Sequence, residues 1–597
     1  MSLIDFKIPN FKFPKLKMKD IGDLGDLKIN VEKLEKLKKR KDNYETTDYK
    51  TVKEIFIHSM ENYSENIAVL EKRDHKEKYK EITYKQFCND VISFGTGITK
   101  FLNLQNERII IIGETSYNWY ISYMSSLCGA GICVPIDKEL PQNEIESLIN
   151  RSKAGVVIYS SKKKDVISKV QDNTPCVKYF VEMYSDNKIE GRNVGFNYIL
   201  NEGKKLVDSG DDSFMKFEIN PDEFKMLIFT SGTTSQSKGV MISNTNLAYN
   251  INAVNAYVKL TPEDRLCSVL PLHHTYESTI GFLLPFACGC SVAICEGLKY
   301  IVPNLQEAKP TAMLAVPLLI ESLHKKINKS IEKSGKAPIV NSMIHVTNAL
   351  KNVGVDIKRK VFREILDNLG GKLRIIVSAA APIDPKVGKW VQDMGILFLQ
   401  GYGLTETAPI AAVTPDFDTR VGSAGKVVVC DEIKVKDADE KGEGEIWISG
   451  KTVMLGYYEN EEATKEALVD GWFNSGDIGY LDKDNFVYIT GRSKNVIVTQ
   501  NGKNIFPEEM ENLVNKIEGV SESMIYSVLN KDAIDENDIR IAVEVVYDKE
   551  VMKEMYNLED ETEIYNLLDK KIKEILSEYH GEKTISLKYP TPISIKV

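Results

Sequence analysis

At 597 residues the chain exceeds what one ordinary hydrophobic core covers, and its 43% hydrophobic and 27% charged residues describe a soluble globular protein of two or more domains. A formal net charge of -9 leaves no overall electrostatic footprint for nucleic acid. Nine cysteines, scattered from Cys88 to Cys430 without paired CxxC spacing, argue against a disulfide frame or zinc site and for free thiols in a reducing cytoplasm.

Residues 1–45 differ from everything after them. FKIPNFKFPKLKMK alternates apolar and basic residues, and VEKLEKLKKRK spaces Val31, Leu34 and Leu37 about one helical turn apart. Two readings stand: a peripheral foot on an anionic lipid surface, or a solvated or back-folded extension that covers the main domain. No continuous apolar block forms a signal peptide. Next, short apolar runs alternate with helical patterns: RIIIIGE, GAGICVPI, AGVVIYS, KMLIFT, RLCSVLPL, TAMLAVP and LRIIVSAA. Near-continuous Val/Ile strands separated by helix-length segments predict parallel sheets covered on both faces. GFLLPFACGCSVAI holds two glycines and a proline in about 14 residues, too short and broken to span a bilayer, and Cys288 and Cys290 read as core. Towards the end, the closely spaced β-like runs GEGEIWISG, FVYITG and NVIVT give way to the amphipathic EEMENLVNKIEG and EDETEIYNLLDKKIKEILSEYH. That shift predicts a smaller α+β domain from about Gly491.

One stretch carries chemistry. KMLIFT runs into FTSGTTSQSKGVM, and the helix-like NTNLAYNINAVNAYV follows Ile242 and Ser243. Gly232 and Gly239 let the backbone approach a ligand, the hydroxyls of Thr230, Ser231, Thr233 and Thr234 donate to phosphate oxygens, and Lys238 adds a point charge. The Walker formula needs Gly-Lys-Ser/Thr opening a helix, whereas here Lys238 precedes Gly239. Alone, the stretch reads equally as a plain loop.

TSGTTSQSKGV resembles the TSGTTGxPKGV loop of the adenylate-forming (AMP-binding) enzymes, the superfamily of acyl-CoA synthetases, firefly luciferases and nonribosomal adenylation domains. Ser235 stands where the family has Gly, and Ser237 where it has Pro. Further segments follow in the family's order. LPLHHTYES, around His273, His274 and Tyr276, resembles the border of the acyl pocket and thiol tunnel. SAAAPID implies Ala380, Ala381 and Pro382 at the adenine. QGYGLTET resembles the strongest signature and implies Gly401, Tyr402 and Gly403 at the nucleotide, with Tyr402 on the adenine face, Thr405 on the α-phosphate and Glu406 on magnesium. After GEIWISGKTVMLGYYENEEAT, GWFNSGDIG offers Asp477 to the ribose hydroxyls. GRSKNVIVTQNGKNIFPEE supplies Arg492 for the ribose, Lys494 at a hinge and Gly502 for the CoA step. The tail KYPTPISIKV, placed through Pro590 on the family's PKTxxGK, puts Lys596 on the catalytic lysine, with Thr591, Pro592 and Ile595 departing from the pattern.

The resemblance covers residue 50 to the end. It implies a large α/β domain over residues 46–490, built of parallel or mixed sheets layered with helices plus a β-barrel-like subdomain, and a small mobile α+β lid over 491–597. It further implies ATP, magnesium and CoA as the small molecules handled and a medium- or long-chain fatty acid as the acid activated. Transfer of the acyl group to a carrier-protein pantetheine is the nearest alternative. A catalytically inactive lipid- or nucleotide-binding relative would keep the same fold, and an amino-acid adenylation domain is disfavoured because HHTYES offers no aspartate for an ammonium group.

Overall fold

The computed structural model describes residues 43–230, 237–498, 504–505, 507–529, 539–583 and 594–595. Ser231, Gly232, Thr233, Thr234, Ser235, Gly502, Lys596 and the N-terminal stretch to residue 42 therefore lie outside the described residues. Two units emerge: a larger one, Leu3–Glu432 with Ile448–Phe473, and a smaller one, chiefly Ile433–Trp447 and Asn474–Val597.

The Val/Ile-rich runs of the larger unit become strands because both of their faces can be buried. β1 (Glu107–Ile112), β2 (Gly131–Ile136) and β3 (Val156–Tyr159) are mutually parallel, with β1 in the middle. β4 (Phe224–Thr230) joins β2 in parallel, and β5 (Lys238–Ser243) turns back antiparallel along β4. Ile110, Ile111, Ile112, Val134 and Val157 are fully buried here, each worth about 1.5–3 kcal/mol. In a second sheet, β6 (Arg265–Ser268), β7 (Ala312–Ala315), β8 (Ile375–Ser378) and β9 (Leu397–Tyr402) run parallel in that order. Their core packs under Leu319, Ile320, Val387 and Val391 of helices Pro317–Lys333 and Pro385–Asp393. The short β10 (Gly456–Tyr457) adds to β5 on the first sheet.

Helix Asn244–Tyr257 departs from the usual amphipathic pattern. Ser243 caps it in a reciprocal box with Asn246, and it is buried almost all round, asparagines included. Two of the buried amides reach remote backbone: Asn246 Nδ2 donates to the Lys451 and Val453 carbonyls at 2.9 and 2.8 Å, and Asn250 Nδ2 to those of Thr407 and Ile410 at 3.0 and 2.9 Å. The helix is thus a polar spine that pins two remote segments. The run GFLLPFACGCSVAI lies in the core as a π-helical segment, Tyr276–Leu283, followed by helix Leu284–Ala287 and strand Ser291–Ile294. No helix among the described residues is long and apolar enough to cross a membrane, and all nine cysteines are free thiols.

In the smaller unit, β11 (Trp472–Leu481) and β12 (Phe486–Arg492) form an antiparallel pair. Val520–Leu529 pairs antiparallel with Ile539–Tyr547, and Met510, Val514, Ile564, Leu568 and Leu576 of its helices form the core there.

Two expectations need correction. The barrel-like subdomain is not closed: Asp431–Lys436, Gly444–Gly450, β11 and β12 follow one another in an open sheet in which Asp431–Lys436 has a single neighbour. That end strand exposes Glu432, Lys434 and Lys436, and charges along a free edge discourage the pairing that closure requires. The hydroxyl-rich loop, secondly, does not lead from strand to helix. It joins β4 to β5, so a strand stands between Lys238 and the helix cap at Ser243. Gly239, Val240, Ile242 and Ser243 are buried and satisfy the ladder, which gives this short run reason to be a strand.

Candidate functional site

The β4–β5 hairpin fixes both ends of the loop. Thr230 lies opposite Lys238, and Phe229 opposite Gly239. A Cβ on Gly239 would come within 2.9 Å of Leu227 Cδ1 and 3.3 Å of Tyr458 Cβ, so a larger residue would make these side chains shift, while the Gly239 carbonyl accepts from Tyr458 N at 2.7 Å. Ser237, the residue in place of the family's proline, is clamped by Arg151, which donates to its hydroxyl at 3.0 Å and to its carbonyl at 2.6 Å.

Parallel α/β sheets carry ligands beyond the carboxyl ends of their strands, and β8 and β9 are neighbours whose carboxyl ends deliver the next two motifs. From β8 the chain enters Ala380, Ala381 and Pro382. Ala380 has φ +74, a left-handed conformation costing an L residue about 1 kcal/mol. From β9 it passes Gly401, Tyr402 and Gly403 into the short turn Thr405–Thr407. A Cβ on Gly403 would fall 1.9 Å from the Pro409 carbonyl oxygen, so that turn closes only around glycine. Thr407 fastens it: its hydroxyl accepts from Leu404 N at 2.9 Å and meets the Pro409 carbonyl oxygen at 2.9 Å.

The structure brings Lys238, the first residue of β5, and the QGYGLTET turn together through Tyr457 of β10. The Tyr457 hydroxyl donates to Glu406 Oε1 at 2.9 Å, and Lys238 Nζ sits 4.8 Å from the centre of the Tyr457 ring. Met454 N donates to the Glu406 carbonyl at 2.8 Å, and Tyr457 itself faces Val240 across the ladder. Burial, with Glu406 beside it, holds the Tyr457 phenol well above its ordinary pKa, so it remains a donor. A cation, a phenol and a carboxylate from three distant segments thus share one place.

The segment after β6 is drier. The rings of His273 and His274 lie 4.2 Å apart between centres, tilted at 49° to each other, and His273 Nε2 lies 3.8 Å from Asp137 Oδ2. Burial first, then the neighbouring His274, depress the His273 pKa to about 4; His274, packed by neighbours on one side but exposed to solvent, is lowered in the same direction. Both rings are neutral at pH 7, suited to lining a pocket. Tyr276 ties this wall to β8 by donating to the Val377 carbonyl at 2.9 Å. Glu277 is enclosed, accepts from Ser268 at 2.5 Å on one oxygen, and has its pKa pushed up to about 8 by burial; its other oxygen meets no partner among the described residues.

In the smaller unit, Asp477 and Arg492 face each other across β11 and β12 and pair at 2.9 Å, with the carboxylate buried and the guanidinium exposed. Lys494 is exposed in the turn Ser493–Asn495. Among the described residues no three His, Cys, Asp or Glu side chains converge on a point. The donor set that fits is one carboxylate, Glu406, completed by phosphate oxygens and water, which is how nucleotide sites hold magnesium. Sequence reasoning missed Tyr457, Arg151 and Glu277. Tyr457 lay inside a quoted family segment, but nothing local distinguished it from Tyr458; the other two gave no signal, because Arg151 acts at a distance and Glu277 reads as an ordinary acid.

The family model of AMP-binding enzymes matches residues 56–458. Long-chain-fatty-acid–CoA ligase 5 of Rattus norvegicus is 30% identical over 503 residues, spanning 79% of this chain and 73% of that protein. Long-chain-fatty-acid–CoA ligase FadD15 of Mycobacterium bovis is 27% identical over 462 residues, 74% of this chain and 75% of its own. Among solved structures, the anthranilate CoA ligase AuaEII in complex with anthranoyl-AMP superposes with a TM-score of 0.69 at 18% identity, covering 92% of this chain and 94% of that one. A Mycobacterium tuberculosis fatty acyl CoA synthetase gives 0.61 at 19% identity with the same coverage. At such identities the structural likeness is one of fold.

Proposed function

The chain belongs to the AMP-binding enzyme family, and on that premise we propose that it is an ATP-dependent, AMP-forming fatty acyl-CoA synthetase. The observation that carries the reading is the convergence of Lys238 and Glu406 on Tyr457. A carboxylate is a poor acyl donor, because oxide leaves badly. Its oxygen attacks the α-phosphorus of ATP, an O–P bond forms, and the bond to the bridging oxygen breaks with its electrons departing on pyrophosphate. The thiol of CoA then attacks the acyl carbon; a C–S bond forms, AMP leaves, and the thiol proton passes to solvent.

The first step drives one anion against another, so charge neutralisation is its main demand. In this reading Thr230, Ser231, Thr233, Thr234 and Lys238 hold the departing phosphates, with Gly232 letting the backbone approach. Ala380, Ala381, Pro382, Gly401, Tyr402 and Gly403 seat the adenine, and Thr405 contacts the α-phosphate. Glu406 would hold magnesium, which when bound supplies positive charge to the phosphate oxygens. Tyr457 keeps one carboxylate oxygen occupied and so orients the other. Asp477 and Arg492 are assigned to the ribose, Lys596 to the attacking carboxylate and α-phosphate, and Lys494 and Gly502, in the lid of residues 491–597, to the thioester step. His273, His274 and Tyr276 border the acyl chain and thiol path, and residues 1–45 are the proposed membrane contact.

The test is pyrophosphate release and thioester formation with C2 to C18 acids, offering free CoA against a holo carrier protein. Acid-dependent release of pyrophosphate with acyl-CoA as product supports the reading. Release without acid, or acyl transfer to the carrier protein alone, overturns it.

A further inference from the structure

The larger unit contains a cavity of about 520 Å³ bordered by Lys309, Arg359, Arg363, Asp367, Gly371 and Lys372. Its position follows from the strands. Lys309 follows helix Ile301–Ala308 and lies just before β7, and Gly371 and Lys372 come just before β8. Arg359 binds the chain entering β8 and β9: its two terminal nitrogens donate to the carbonyls of Leu373 at 2.6 Å, Gly395 at 3.2 Å and Gly371 at 3.1 Å. The cavity therefore sits at the amino edge of the sheet whose carboxyl edge bears Ala380 and Glu406. A four-residue strand separates the two edges by roughly 13 Å.

Charge is what makes this hollow unusual in an acidic chain. Four cations surround it against one carboxylate, and Asp367 reaches only Arg363, at 3.6 Å in an exposed pair. Lys309, Arg359 and Lys372 have no ion pair among the described residues. Arg359 is half-buried and bonded only to carbonyls, which orient a guanidinium without neutralising it. Helix C-termini attract cations, and this is the bland explanation for lysines in such places. Two helices end here, however, and together they supply about one negative charge. With Asp367 that leaves roughly two positive charges unbalanced around the hollow.

We propose that this cavity is a second anion site, one that takes a phosphate-bearing group of about two negative charges at the edge of the sheet opposite the nucleotide motifs. Oriented guanidinium and ammonium donors suit phosphate oxygens. The phosphate arrives either on a soluble molecule or on an acidic lipid headgroup, and the site would recognise the same chemistry in both.

The full-length chain, free of nucleotide and acid, is titrated calorimetrically with sodium phosphate at pH 8, and separately sedimented with phosphatidic acid vesicles. The comparison is with Lys309→Ala/Lys372→Ala, which leaves Arg359 and its carbonyl contacts in place. If the phosphate is soluble, the double variant binds inorganic phosphate at least tenfold more weakly, while acid-dependent ATP–pyrophosphate exchange stays within twofold of wild type. If it comes from a headgroup, titrations match but the variant loses vesicle retention. Wild-type behaviour of the variant in both assays overturns the site, whatever acid the enzyme activates.

Discussion

Two regions of the larger unit treat ionisable groups in opposite ways. Around Glu406, ionisable groups meet polar and aromatic partners: Lys238 rests on the Tyr457 ring, and the Tyr457 hydroxyl donates to the carboxylate. Around Glu277, a few residues beyond β6, burial removes charge instead, with the acid raised to about 8 and His273 depressed to about 4. The first arrangement suits a ligand that brings phosphates, and the second an apolar tail. Neither could be exchanged for the other, because an uncompensated buried charge and an over-hydrated pocket are both costly.

The largest expected effect on catalysis tests the charged region. Glu406→Gln removes the negative charge at nearly constant shape and should slow adenylation at least a hundredfold, about 3 kcal/mol of transition-state stabilisation, with a far smaller change in melting temperature. Unchanged ATP–pyrophosphate exchange would remove Glu406 from its role. In the dry region the corresponding change, Glu277→Gln, acts on stability. A carboxyl raised in the folded state contributes stability that is whole below its unfolded pKa near 4.5 and lost as pH rises to about 8. The variant should therefore gain on wild type across that window, by up to ~5 kcal/mol at about 1.4 kcal/mol per pH unit. A pH-independent difference would sink the neutral-acid reading. His273→Gln carries the opposite sign: the wild-type ring contributes stability above pH 6.5 that is lost as pH falls towards 4, so the variant should resist acid better. Melting curves between pH 4 and 7 check this.

Smaller effects sharpen the contrast. Tyr457→Phe leaves the ring under Lys238 and removes one hydrogen bond to a charged acceptor, which predicts about a tenfold loss of kcat with folding retained. Arg151→Ala frees Ser237 and should raise the KM for ATP a few-fold with kcat nearly intact. A fall in kcat without a change in KM would mean that the clamp does something other than hold the loop.

What the sequence disclosed follows the same division. The Val/Ile runs announced β1 to β4 and β6 to β8, because a strand buried on both faces needs little beyond continuous apolar residues. The motif residues were legible as types in a recognised order. The strand after the loop was not, since six residues of mixed polarity carry no dependable period. Tyr457 could not be singled out because its role lies in a hydrogen bond across 51 positions, and Glu277 could not because its protonation is set by neighbours such as Ser268 that only the fold supplies.

The pairing of β10 with β5 also dictates timing. A ribosome that has just released the hydroxyl loop must add about 200 residues before the tyrosine that closes it emerges, roughly ten to forty seconds at ordinary elongation rates. During that interval the nascent chain shows water an edge strand beginning at Lys238 and lacking its outer neighbour. Any helper protein that shields the growing polypeptide would meet it there.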